Sequence, residues 1–505
     1  MSHETALLLC LGVPLGGTAL ILLAGRLPNL REAATLLTAG AVFGLVVSLL
    51  PAALSGRTVS ATLIEVMPGV PLALALEPLG LLYALVATLL WIPNSVYSIG
   101  YMRANREKHQ TRFYACFALS ILASVGIAFS ANVFTMFVFY EMLTLTTLPL
   151  VMHRQTPEAV RSGRTYLGVL LTTSICFQLA AVIWIAALAR RGVIPGIGFA
   201  PGGLFADALQ TGAVAAPALG LLFFLYIYGI GKAALMPVHR WLPAAMVAPT
   251  PVSAFLHAVA VVKAGVFCVI KVITQVFGVE TLRHSGQSQW LVYVAGATIV
   301  LASLIALFQD DLKRRLAYST ISQLGYVVMA AALLTPLAIF AAALHLMTHA
   351  MGKITLFFAA GSVYTAAHKT RASELDGIGR LMPWTMGAFT IGAISMIGLP
   401  PAAGFVSKFA VVRGAAQGLV QGGSGSAEVF ALFVVVVSTL LNAGYFLPIV
   451  YRAFFRPPPR GQQRHGESPA PMVFALGFTA SLVLLFFAWP DALVTLARAA
   501  MEAST

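Results

Sequence analysis

Runs of roughly 20 apolar residues recur from one end of the chain to the other. Each is long enough, at about 1.5 Å per residue, to cross about 30 Å of hydrocarbon as a helix. They do not alternate in polarity, as barrel strands would. With 59% apolar and 10% charged residues and a mean hydropathy of +0.89, the 505-residue chain lies outside the water-soluble globular classes. The fold class is all-α: a polytopic membrane protein of about 14 transmembrane helices.

The spans are expected at 5–24, 32–54, 76–99, 113–130, 132–152, 165–189, 217–237, 252–275, 289–308, 316–334, 337–364, 383–405, 430–452 and 471–490. Counting Lys and Arg tests that scheme: odd connections hold about 20 and even ones about 6. The basic connections, among them 101–112, 153–164, 309–315, 368–380 and 451–464, are therefore expected to be cytoplasmic, with both termini outside. This asymmetry accounts for the net charge of +14 without nucleic acid. The start, MSHETALLLC, carries no Lys or Arg and no cleavage site follows, so it reads as an uncleaved first span. Cys10, Cys116, Cys176 and Cys268 stand alone in apolar windows, as small core residues do.

Ionisable residues inside apolar runs set the chemistry. An ammonium at the bilayer centre costs from about 2.5 to more than 10 kcal/mol, so such groups face a partner or a hydrated path. Lys232, Lys263, Lys353 and Lys408 fall within spans, whereas Lys108, Lys271, Lys313 and Lys369 fall in or beside connections. A lysine near a helix end can instead snorkel to the headgroups. Glu141, in FVFYEMLTLTTLPLV, is the one acid placed deep in a span. A nearby ammonium would hold it charged, and Lys232 is the candidate.

Two spans are broken by proline. GIGKAALMPVHRWLP (229–243) contains Pro237, and SMIGLPPAAGFVSKFAVV (395–412) contains Pro400 and Pro401. Freed backbone groups at membrane depth need protein or water, so such breaks line cavities, and paired breaks point to inverted repeats. In ALHLMTHAMGKITLFF (343–358), His345, His349 and Lys353 climb one helical face at i,i+4 spacing. Two histidines so spaced can bind zinc, but an ammonium next in line repels a cation; a proton relay fits better. No metal or cofactor is expected. QDDLKRR (309–315) reads as an orientation anchor, with Tyr318, Ser319, Ser322 and Gln323 able to bind water beyond it.

These motifs, with DLKRRLAYSTISQLGYV and GKAALMPVHRWLPAAMVAPTPVSAFLHAVAVVKAG, resemble the antiporter-like subunits of respiratory complex I, membrane-bound hydrogenases and Mrp cation/proton antiporters. GYMRANREKHQTRFYACFALSI looks closest to the D-type member of the Mrp assemblies. The resemblance covers about residues 75–455 and implies two inverted five-helix repeats, about 113–275 and 289–452. Residues 1–112 would then be three leading spans, and 453–505 a cytoplasmic loop with a C-terminal helix. It implies a Glu141–Lys232 pair, a central relay lysine at Lys263, a hydrophilic axis through His257, His345, His349 and Lys353, and a terminal lysine at Lys408. Where the family commonly has acids, this chain has Ala244 and Val247.

The function so implied is proton translocation by one component of a multisubunit sodium/proton antiporter in the bacterial inner membrane, with other membrane subunits as partners. Protons would enter near Lys232 and leave past Lys408. The alternative is the pumping subunit of a complex I-like, hydrogenase or inorganic-carbon-uptake complex. The protein is expected to be a transporter and no enzyme itself; a membrane-embedded enzyme or passive scaffold finds no nucleophile–base pair or phosphate loop to support it. A sodium site needs several converging oxygens, so the cation path is expected mainly in another subunit.

Overall fold

The computed structural model describes residues 2–421, 425–459 and 465–502. Parts of the expected connection 451–464, and of the one leading to the span expected at 430–452, lie outside those residues. A helix stands at every expected span: α1 (His3–Leu23), α2 (Pro28–Ser48), α3 (Pro78–Ala104), α4 (Gln110–Ala128), α5 (Val133–Val151), α6 (Pro157–Arg190), α7 (Ala216–Gly229), α8 (Thr250–Phe277), α9 (Gln289–Leu307), α10 (Leu312–Ala332), α11 (Pro336–Ala367), α12 (Pro383–Ile397), α13 (Ala403–Val420), α14 (Ser426–Phe455) and α15 (Ala470–Ala488). Among the described residues, eleven helices are long and apolar enough to cross a bilayer. The span expected at 383–405 is α12 and α13 together, and runs on to Val420.

Helix starts follow local chemistry. Asn132, Thr156, Asp311 and Thr335 each accept a hydrogen bond from the N–H three residues on. That satisfies one of the orphan donors of α5, α6, α10 and α11. Pro157 and Pro336 occupy first-turn positions where a missing N–H costs nothing.

The connections sort by parity. Odd connections touch odd ones: Arg154 pairs with Glu107 at 2.7 Å, Leu312 N donates to Thr370 O, and Gly377 N donates to Arg452 O. Even connections meet at the other end: Ala75 N donates to Phe129 O, Phe199 N to Ala131 O and Leu204 N to Val276 O. Each unit therefore crosses once. From α4 to α9 there are five crossings, an odd number, so α9 starts on the face opposite to the start of α4. The fourth member of each five-helix run, α7 and then α12/α13, is the one broken at a proline.

Two parts of the fold depart from expectation. Residues 53–75, which join the spans expected at 32–54 and 76–99, contain an antiparallel hairpin of β1 (Ser60–Met67) and β2 (Val70–Ala75) where none was expected. Pro68 and Gly69, the latter at φ +78, make its tight turn. The C-terminal part holds a second helix, α16 (Asp491–Glu502), which buries Leu493, Leu496, Ala497 and Ala500 along one face.

The α5–α6 turn on the basic face carries a pH-sensitive group. His153 is 2% exposed, and neither ring nitrogen has a protein hydrogen-bond partner. Burial pushes its imidazole down to about 4, against the pull of Glu107. An unfolded histidine takes its proton near pH 6.5, so this contribution to stability is full above that value and is lost as pH falls toward 4. At pH 5 the loss is about 2 kcal/mol. Thermal unfolding at pH 7 and pH 5 should show it, and His153→Gln should narrow the gap between the two; an unchanged gap would place the acid sensitivity elsewhere.

Candidate functional site: a buried lysine and histidine axis

The first break begins where α7 ends at Gly229. Residues 230–249 form short 3-10 turns and one four-residue helical turn, with a cis bond before Pro237. Side chains satisfy the freed backbone: Trp241 Nε1 donates to Gly231 O at 3.0 Å, Lys232 N to Tyr140 Oη at 3.0 Å, and Met236 N to Thr298 Oγ1 at 3.2 Å. The second half of α8 lies directly against this break. A Cβ on Gly265 would meet the Lys232 carbonyl carbon at 2.3 Å, so only glycine permits the approach.

The second break follows from its sequence. Pro400 and Pro401 have no N–H, so the carbonyls four residues earlier, Met396 and Ile397, lose their helical partners. Lys408 takes both: its Nζ donates to Met396 O at 2.7 Å and Ile397 O at 3.1 Å. At 4% exposure it turns inward and does not snorkel.

The expected Glu141–Lys232 pair is not closed. Lys232, fully buried, donates through Nζ to Tyr140 O at 2.7 Å and Thr144 Oγ1 at 2.6 Å, and lies 3.1 Å from the Tyr140 ring centroid. Glu141 is one residue on, hence about 100° round the helix from the face that meets Lys232. It sits half-buried on the flank of α5, and its buried Oε1 has no protein partner.

The rest of the axis is assembled. Lys263, His257, His349 and Lys353 are 0% exposed and His345 is 1% exposed. Lys263 Nζ is 2.5 Å from His349 Nδ1, joining α8 to α11. The His349 and His345 rings stack at 6.0 Å between centroids. His345 reaches Ser407 Oγ at 2.8 Å and Gln323 Oε1 at 3.1 Å. Gln323 Nε2 donates to Met396 O at 3.4 Å, the carbonyl that also accepts from Lys408 and, at 3.2 Å, from Asn442 Nδ2. Asn442 receives the Tyr445 hydroxyl, Tyr445 reaches Ser319 Oγ at 3.0 Å, and Lys353 donates to Ser319 at 2.8 Å. One hydrogen-bonded web thus joins His345, Lys408 and Lys353 through the proline-freed carbonyl. His257 packs against Phe357 with the rings tilted at 44° and 4.8 Å between centroids; its two ring nitrogens, and His349 Nε2, have no protein partner. Buried polar groups are paired as a rule, so water is the partner left to them.

Lys271 corrects another expectation. It is fully buried at the end of a helical segment of α8, Nζ 3.0 Å from Glu77 Oε2 and 2.8 Å from Ser130 O. Asn442, Tyr445, Ser407 and Thr348 also belong to the axis and were not singled out from sequence. Their one signal is a polar residue on the inner face of an apolar helix.

Residues 130–440, more than half the chain, match the family described as NADH:quinone oxidoreductase/Mrp antiporter, TM. The chain belongs to this family. The N subunit of the NADH-quinone oxidoreductase of Desulforudis audaxviator (strain MP104C) is 34% identical over 395 residues, 77% of this chain and 74% of that one. The A/B subunit of a probable K(+)/H(+) antiporter of Rhizobium meliloti (strain 1021) is 29% identical over 407 residues, 79% of this chain but 38% of the longer relative. A chain in the structure of the Mrp complex from Dietzia sp. DQ12-45-1b superposes with a TM-score of 0.83 at 21% identity, covering 100% of this chain and 98% of that one, a likeness of fold. This antiporter-like membrane protein has relatives in both redox-driven and antiporter assemblies, and these imply membrane-subunit partners.

Proposed function

We propose that this chain moves protons as the antiporter-like subunit of a multisubunit monovalent cation (sodium)/proton antiporter in the bacterial cell membrane. Residues 113–275 and 289–452 act as two inverted halves, with the basic connections on the cytoplasmic side. The observation that carries the proposal is the buried line of Lys263 and His349, stacked on His345, with the web that joins His345 to Lys353 and Lys408, groups that are costly at membrane depth unless they do work. The open Glu141–Lys232 geometry supports a switch: closing the pair would favour a charged lysine, and opening it favours release. Each charge moved against 100 mV costs about 2.3 kcal/mol, which the switch or its neighbours must supply. The sodium path lies mainly in another subunit.

A second reading, the pumping subunit of a redox-driven, hydrogenase or inorganic-carbon-uptake complex, draws support from the 34% identity to the N subunit of a quinone oxidoreductase. Purifying the native complex separates the two: small apolar subunits favour the antiporter, a large soluble redox partner the pump. In that complex, reconstituted in proteoliposomes, Lys353→Met should cut proton flux about 100-fold, the low end for a proton-transferring group. Flux within twofold of the parent would end the proposal.

A further inference from the structure

The sequence places proton intake near Lys232, yet that ammonium is fully buried and held by Tyr140 and Thr144. Openings on the basic face lead elsewhere. Two adjoining cavities, of about 320 and 480 Å³, share Glu158, Met246, Val247 and Asp311 in their walls. Ala244 lines the larger beside Val247, and two carboxylates, Glu158 at the start of α6 and Asp311 at the cap of α10, stand in the common wall. The smaller cavity reaches Lys313 and Thr250. Lys313 Nζ donates to Ala248 O at 2.5 Å. From Thr250, the first half of α8 presents Ser253 and His257 at spacings of three and four, one helical face. Both are 0% exposed, and neither Ser253 Oγ nor either nitrogen of His257 has a protein partner. His257 lies within electrostatic reach of both Lys313 and Lys353.

We propose that protons reach the axis through this vestibule, collected by Glu158 and Asp311, gated by Lys313 and passed by water along Thr250, Ser253 and His257. The inference rests on the proton-carrying function above and moves the intake from the first break to α8. Only a proton moves: each group hands one on as it receives one. Arg154, Arg240, Arg314 and Lys369 also line the two cavities, Glu107 holding Arg154 at 2.7 Å, so Glu158 and Asp311 are the proton acceptors in an otherwise basic wall.

The test is proton flux from the basic-loop side in proteoliposomes holding the native complex. Glu158→Gln with Asp311→Asn removes both carboxylate proton acceptors from these walls and should lower flux about tenfold, less than the loss of a group on the axis itself. Asparagine caps a helix as well as aspartate, so the start of α10 survives. Adding Ala244→Glu to that double variant should restore most of the flux, which a structural defect would not allow. Lys313→Met and Ser253→Ala should each slow flux, the second keeping the test open if the first fails to assemble. Unchanged flux in the double variant and in Ser253→Ala, with Lys263→Met still blocked, would overturn the vestibule and spare the function. Flux persisting in Lys263→Met would sink the function itself.

Discussion

Lys263→Met is expected to abolish proton flux, by at least about 100-fold on the scale of proton-transfer groups, while the complex still assembles. Lys263 is 0% exposed and touches His349 Nδ1 directly, making, among the described residues, the one side-chain hydrogen bond between α8 and the histidines of α11. Methionine nearly matches the length and volume of the lysine stem, and removing a buried ammonium relieves desolvation, which offsets the cost of about 1–3 kcal/mol for leaving His349 Nδ1 without its partner, so stability should change little. Lys263→Arg is the sharper variant. It keeps the positive charge but cannot release a proton at any working pH, so it should be as inactive as methionine. Near-normal flux in the arginine variant would mean that Lys263 supplies a fixed charge and carries nothing. A native gel of each variant separates loss of transport from loss of assembly.

Much of this was legible in the chain because membranes make few exceptions. Apolar length gave the crossings, basic residues gave their alternation, and Pro237, Pro400 and Pro401 gave the breaks, since a missing N–H is a local fact. What escaped depends on direction and tertiary contact. The interruption of α8 at Val259–Ala260 contains neither Pro nor Gly; the Ala260 carbonyl is met by Tyr83 Oη at 3.1 Å, a partner 177 residues away. Glu141 and Tyr140 are neighbours in sequence, and only the rotation of α5 decides which of them meets Lys232. Lys271 looked like a lysine beside a connection because it stands within a turn or two of the end of the span expected at 252–275; Glu77, Ser130 and the Phe199 ring at 4.1 Å make it a core residue. The β1–β2 hairpin carried a Pro-Gly turn signal but sat between spans, where solvated connections are the usual case.

Gly398→Ala should disable the axis from outside it. Gly398 sits at φ +90, where an L side chain costs about 1–2 kcal/mol. A Cβ there would lie 2.6 Å from Lys408 Cδ, against the stem that carries the ammonium to Met396 O and Ile397 O. Those carbonyls have no helical donor, because the residues four ahead are Pro400 and Pro401. If Lys408 is pushed aside, Ile397 O loses its lysine donor at a cost of about 1–3 kcal/mol, while Met396 O keeps Gln323 and Asn442. The same shift strips an ammonium from the carbonyl that links Gln323 and Asn442. The expected result is a lower melting temperature together with a flux loss close to that of Lys408→Ala. In the double variant the alanine at 408 removes the stem that the new methyl strikes, so the two losses should fail to add. Additive losses, or a Gly398→Ala protein that keeps both its flux and its melting temperature, would show that this glycine does not set the position of Lys408.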